Sequence, residues 1–216
     1  MNKIMFNDKY GLTKAVLEGR KTQTRRIINP QPMYDENVGI CWKGYAYGIN
    51  FSGKEGAYNN FISGTEYDKS CKRYRVGEIV AVAQSYKDLG YSETALDRSP
   101  KDWRIVRGAL GKSKGWNNKM FVRVDACIEK GHQIRVTKVR IERLQDISDN
   151  DCLAEGIEFD CKSQSFYCGF NNSTNSKIWL GRTPREAYAA LIDKVGKKGD
   201  WESNPYVFVY DFELIK

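Results

Sequence analysis

Arg20, Lys21, Thr22, Gln23, Thr24, Arg25 and Arg26 follow one another directly after LEG at positions 17–19. Four like charges in so short a stretch repel one another unless negative groups neutralise them. Two arrangements satisfy that condition: a site for an anionic or nucleotide-like ligand, or a basic edge bathed in solvent. On a strand, Arg25 and Arg26 point to opposite faces, so one meets a buried carboxylate and the other meets solvent or phosphate. Thr22 and Thr24 equally suit cross-strand packing, and Gly19 equally suits a helix stop.

The elements that must position these residues are readable on either side. In KYGLTKAVLE (9–18), Leu12, Val16 and Leu17 share one face, and Gly19 follows, so a short amphipathic helix is expected. KTQTRRII (21–28) reads as a strand closed by Asn29-Pro30. Residues 31–73 are glycine-punctuated and rich in aromatics, among them Trp42, Tyr45, Tyr47, Phe51, Tyr58, Phe61 and Tyr67. They suggest a hairpin-rich insertion whose rings either stack on bases or pack a small satellite core. A turn at Val76-Gly77 leads to a buried strand from Glu78 to Ala83, and residues 87–118 read as a second loop-rich insertion.

MFVRVDACI (120–128) and QIRVTKVRIERL (133–144) read as two strands. The second alternates Ile134, Val136, Val139 and Ile141 with cations, and its one slip near Lys138 suggests a bulge. Ser148 caps a helix over 149–156 with Asp149 and Asp151 at its positive end. Residues 160–181 read as a third loop-rich excursion. Thr183-Pro184-Arg185-Glu186 opens a helix, and YVFVYDFELI closes the chain as a strand. Few parallel crossovers are implied, so an α+β fold with a compact mixed β-barrel flanked by short helices is expected, in one domain over 1–216.

The 216 residues can bury roughly 70% of the unfolded surface. No apolar run approaches the length of a membrane span, and the first residues lack a secretory signal's apolar block, so a cytoplasmic location is expected. Six cysteines and one histidine, His132, show no paired zinc-ligand spacing. No metal or cofactor is expected, and the thiols are expected to stay reduced. Net charge is +8, with an excess of +5 in residues 1–30 and +8 in 101–145. Two basic blocks of this kind are the footprint of a nucleic-acid partner.

GRKTQTRR (19–26) fits the pattern Gly-x-Lys-x-x-Thr-x-Arg through Gly19, Lys21, Thr24 and Arg26, and so resembles the ASCH domain of the PUA-like superfamily. RVGEIVAV (75–82), VRIERLQDISDNDCLAEGI (139–157) and SNPYVFVYDF (203–212) are similar, in the same order, to larger phage-borne ASCH-like proteins. About half the chain is covered; the three insertions lie outside. The resemblance implies a PUA-like β-barrel with a cleft beside the motif and an association with RNA. It also implies two activities: hydrolysis of the N4-acetylcytidine amide by a lysine, a threonine and a glutamate, or RNA cleavage. Lys21 and Thr24 carry over on the motif, and Glu155 is the match for the glutamate, with Asp151 or Glu158 one turn away. Related sequences carry Arg-Glu where Ala83-Gln84 stands here, so that carboxylate's role is lost.

In such a triad Thr24 would be the nucleophile. Lys21 could be its base only if its pKa fell from about 10.4 toward about 7–8, which takes about 4 kcal/mol against the ammonium. The neighbouring arginines and burial act in that direction, and Glu155 acts against it. If Glu155 touches Lys21, the lysine instead steadies a developing oxyanion. The sequence therefore leads to an RNA- or modified-nucleoside-binding protein with Gly19, Arg20, Arg25 and Arg26 around the ligand. Arg135, Lys138, Arg140 and the 101–119 loop would track phosphates. The alternative is a non-catalytic phage accessory protein that binds modified DNA or a host protein.

Overall fold

Strand and helix follow the hydrophobic period closely at both ends of the chain and less closely in the middle. The structure is a computed structural model that describes residues 2–36, 39–42, 45–47, 61–62, 74–91, 115–170 and 176–215. In chain order these residues form β1 (Lys3–Ile4), α1 (Leu12–Leu17), β2 (Gln23–Ile27), β3 (Met33–Asp35), β4 (Gly39–Trp42), β5 (Tyr45–Tyr47), β6 (Phe61–Ile62) and β7 (Ile79–Val82). Then come α2 (Val124–Lys130), β8 (Gln133–Arg143), α3 (Asp149–Ala154), β9 (Glu158–Asp160), β10 (Ser165–Phe170), β11 (Lys177–Gly181), α4 (Pro184–Val195), α5 (Asp200–Ser203) and β12 (Tyr206–Leu214). The fold is α+β.

The central sheet has the order β1-β7-β8-β12-β2, parallel only between β1 and β7. Strand β12 sits between β8 and β2, and Val207 through Tyr210 are all buried, as befits a strand covered on both faces. One face carries Phe208, Tyr210 and Phe212 into a core with Phe6, Tyr74, Val80 and Val136. The register of β8 against β12 shifts where Val136 pairs with Phe212 and Lys138 with Asp211, which leaves Thr137 as the extra residue of a bulge. The expected slip near Lys138 is this bulge.

The pairings among the described residues leave the central sheet open, and those residues do not form the closed barrel expected. A flat sheet would hold β1 and β2, four strand spacings apart, at roughly 19 Å, farther than an arginine reaches. Yet Arg26 Nη2 donates to Met5 O, just after β1, at 2.6 Å. The sheet is therefore curled, and a side chain links its edges where the two-residue β1 is too short to extend a ladder.

Two expectations are corrected in the middle of the chain. The stretch 120–128 forms a 3-10 turn and helix α2 rather than a strand. Its buried residues Val122, Ala126 and Cys127 recur at helical spacing, Asp125 favours the first turn, and Gly131 ends it. The polar stretch 160–181 is not a loop but contributes to a three-stranded antiparallel sheet, β11-β10-β9. Ser163 and Gln164 fall in the turn between β9 and β10, where the Asp160 carboxylate accepts from Ser163 N and Oγ. The expected hairpins of 31–73 appear as β3-β4-β5, extended by β6; the aromatic side chains proposed there lie outside the described residues.

The helix expected over 9–18 is shortened at Gly11, where φ is +65°. There a Cβ would lie 2.8 Å from Gly169 Cα, so the start of α1 seats directly on β10 backbone to backbone. Gly19 ends α1 as expected, with φ of +72°. At α4 the capping box is complete: Thr183 Oγ1 accepts from Glu186 N at 3.1 Å, and Glu186 Oε2 accepts from Thr183 N at 3.3 Å. Thr183→Ala is expected to lower unfolding free energy by about 1 kcal/mol, seen in urea titration as a lower midpoint with unchanged slope.

Candidate functional site

Strand alternation decides where the motif's side chains go. Gln23 and Arg25 face α3 and α4, and Arg25 lies across from Val209, which lies across from Arg140. Thr24 and Arg26 take the other face; Thr24 pairs with Tyr210, on the core side. Lys21 precedes the strand and is held by its backbone N–H on Ala15 O at 3.0 Å.

Lys21 is only 2% exposed, and its Nζ donates to Glu155 Oε2 at 2.5 Å and to Glu155 O at 2.7 Å. Arg25, equally buried, meets Glu142 Oε1 at 2.5 Å, Glu155 Oε1 at 3.3 Å and Asp151 Oδ2 at 3.3 Å, and also donates to Gln23 Oε1. Gln23 in turn donates to Asp151 and Asp211. Arg140 completes the network through Asp211 at 2.6 Å, Glu142 at 3.0 Å and Asp151 at 3.3 Å. Three cations thus face four carboxylates, from β2, β8, α3 and β12. The cap of α3 takes part, since Ser148 Oγ accepts from Asp151 N and fixes the residue whose carboxylate binds Arg25.

The three acids that the sequence could align with the motif all reach it, each through a different cation. Glu155 takes Lys21, Asp151 takes Arg25, and Glu158 takes Arg20 at 2.9 Å. Burial pushes the Lys21 ammonium below its ordinary pKa; the charge and hydrogen bond of Glu155 pull it back, and Arg26 and Arg25 add to the lowering. Burial raises the Asp151 carboxyl, but the Gln23 hydrogen bond and the Arg25 and Arg140 guanidiniums outweigh it and hold the group below the usual carboxylate range. A depressed folded-state pKa means this stabilisation is complete above the unfolded carboxyl's pKa and is lost as pH falls toward the folded one.

Of the triad that the resemblance implies, Lys21 and Glu155 meet and Thr24 does not join them. Among the described residues no hydrogen bond links Thr24 to either, and alternation puts it on the opposite face of β2 from Arg25. The expected division of Arg25 and Arg26 holds, though Arg26 meets a backbone carbonyl and the Phe6 ring. The basic face expected on β8 is reduced: Arg140 is bound within the network, Arg135 pairs with Glu213 at 3.0 Å, and Lys138 is exposed. Residues 101–114 of the basic loop lie outside the described residues.

A groove of about 780 Å³ opens beside α1, on the side of Gly11, Thr13, Lys14, Leu17 and Arg20. Its other walls are Ala83, Gln84, Asp88, Lys119 and His132, with Asp8, Glu158, Gly169 and Phe170 completing it. Lys119 Nζ donates to Phe6 O, to Asp8 Oδ1 at 2.6 Å and to Thr13 Oγ1 at 2.8 Å, which ties this wall together. Gln84 Oε1 accepts from His132 N at 3.2 Å and lies 3.1 Å from its Nδ1. Lys21, Thr24 and Glu155 are not among the lining residues. Arg20 is the one motif side chain that is, and Gly19 at the end of α1 sets its position.

A cleft beside the motif was expected from the resemblance, and Arg20, Ala83 and Gln84 line this groove, but its other walls carry no sequence signal. Thr13 and Lys119 are far apart in the chain, and nothing in the spacing around His132 points to a groove. Glu142 and Asp211 were recoverable in principle, since β8 places Glu142 two residues from Arg140 and β12 places Asp211 opposite Gln23.

Glu155→Gln removes the carboxylate paired with the buried Lys21 ammonium, while Arg25 keeps Glu142 and Asp151. It is expected to destabilise the fold by about 3–5 kcal/mol, measured by urea unfolding. Glu18→Gln, which touches only the exposed Arg20 and Lys14, is expected to stay within about 0.5 kcal/mol of the parent. Comparison of the chain with protein-family models, with curated proteins and with solved structures finds no match.

Proposed function

We propose that the protein binds a nucleoside unit, free or within RNA, in the groove beside α1, as an ASCH-type, PUA-like protein would. The observation that carries the reading is the groove itself. It lies next to the GRKTQTRR motif, has Arg20 at its rim and falls within the size range of small-ligand sites. The curled central sheet, with Arg26 bridging its edges, is compatible with a PUA-like barrel drawn open.

The charge on the groove walls indicates which part of such a ligand enters. Lys14, Arg20 and Lys119 are balanced by Asp8, Asp88 and Glu158, so the walls suit an uncharged polar group better than a phosphate. Gln84 and His132 offer hydrogen-bonding groups, and Phe170 offers a half-exposed ring. Phosphates of a longer ligand would fall to exposed cations such as Lys138.

Hydrolysis of an N4-acylated cytidine is the second reading, favoured by the Lys21–Glu155 contact. It needs a nucleophile, and Thr24 on the core side of β2 is poorly placed to supply one. Lys21, held by Glu155 in a buried pair, acts as a structural brace in the binding reading.

Titration calorimetry with cytidine and N4-acetylcytidine tests both readings. Binding is expected to change little between about 50 and about 200 mM salt, because no counterions are released from a neutral ligand. Phe170→Ala is expected to weaken it about fivefold or more. Absence of binding by either nucleoside and by single-stranded RNA would overturn the proposal. Release of acetate that Thr24→Ala abolishes would establish the hydrolytic reading instead.

A further inference from the structure

Strand β10 is irregular in a way that gathers aromatic rings. Its register against β11 shifts between Phe166 and Tyr167 and again between Tyr167 and Phe170. Residues three apart on a regular strand face opposite sides, yet the Tyr167 and Phe170 rings lie 6.0 Å apart, centroid to centroid. Trp179, the register partner of Tyr167, meets the same ring at 5.7 Å. Tyr167 is buried beneath them, whereas Trp179 is 47% exposed and Phe170 42% exposed, so two ring surfaces face outward over a third.

A cation belongs to the same cluster. Lys177 Nζ stands 4.5 Å from the Tyr167 centroid and 5.6 Å from that of Trp179. Asp160 holds it at 2.8 Å and occupies one of its three donors. The cluster adjoins the groove at two points: Phe170 belongs to both, and Tyr167 Oη donates to Glu158, a groove wall, at 3.2 Å. An ordinary soluble surface carries its apolar residues scattered singly. Open rings beside an ammonium are the composition that holds single-stranded nucleic acid, where bases stack on aromatics and cations meet the backbone.

We propose that Trp179 and Phe170, backed by Tyr167 and flanked by Lys177, form a stacking platform for single-stranded nucleic acid. It receives the base adjacent to the one in the groove. This inference rests on the groove's being a nucleobase site. The platform lies in the part of the chain outside the ASCH resemblance, so it extends a one-base site into one that reads a strand.

The test compares an oligocytidylate RNA of about six nucleotides, by fluorescence anisotropy, with cytidine alone, by calorimetry. The oligomer is expected to bind more tightly than cytidine. Trp179→Ala is expected to weaken the oligomer between about fivefold and about 150-fold and to leave cytidine unchanged, and Trp179→Phe is expected to restore most of the loss. Unfolding midpoints of both variants, at a half-exposed position, check that the fold is kept. Oligomer affinity untouched by Trp179→Ala, or cytidine affinity that falls equally, would overturn the platform. So would an oligomer that binds no better than cytidine, with the groove reading intact. Binding of neither probe to the parent protein would bring down groove and platform together.

Discussion

Arg25 sits out of water between Glu142, Asp151 and Glu155, and this arrangement constrains everything around it. Removing an ion from solvent costs several kcal/mol even after relaxation, so each carboxylate must arrive together with the cation it neutralises. The acids come from β8 and α3, with Asp211 of β12 joining through Gln23 and Arg140. The network therefore specifies how α3 docks on the sheet and which register β2 adopts against β12. A one-residue slip of β2 would turn Arg25 toward Tyr210 and the apolar core and bring Thr24 to the acids. Apolar packing alone would tolerate that slip far better than the charges do.

The same arrangement explains where the charge of the basic stretch 20–26 goes. Lys21 and Arg25 are enclosed, Arg26 serves the sheet edge, and only Arg20 reaches the groove, where Glu158 meets it. Crowded like charges are tolerated because acids distant in sequence converge on them. In the proposed binding reading, recognition is then left to shape, hydrogen-bonding groups and ring surfaces.

Legibility followed the range of the forces involved. Strand β8, its bulge, β12 and the capped starts of α3 and α4 depend on local periodicity and capping chemistry, and each is visible in the sequence. Segment 120–128 reads both ways because Val122, Val124 and Ala126 follow a period of two while Val122, Ala126 and Cys127 follow a helical one, and the choice is made by packing of Val122, Ala126 and Cys127 against Tyr86 and Leu89. In 160–181 the polar turn residues obscured two apolar strands. The Lys21–Glu155 contact was reachable through the resemblance, but the separation of Thr24 from it follows from strand alternation that the motif pattern does not encode. A cleft beside the motif was implied by the resemblance, but the wall that joins Thr13 to Lys119 was not legible, because the two lie more than 100 residues apart.

Alternation also limits what the buried pair can do. A lysine serving as a base must lose its proton, and burial presses Lys21 that way; Glu155, whose carboxylate and backbone carbonyl both accept from its Nζ, resists. Releasing that proton would leave Glu155 still facing Arg25, so the network as a whole could remain charged while one member turned neutral. For such a change to matter chemically, a substrate would have to reach Nζ, yet the Lys21 side chain is only 1% exposed. The pair is thus closed in its packing, while the neighbouring Arg20 opens onto the groove.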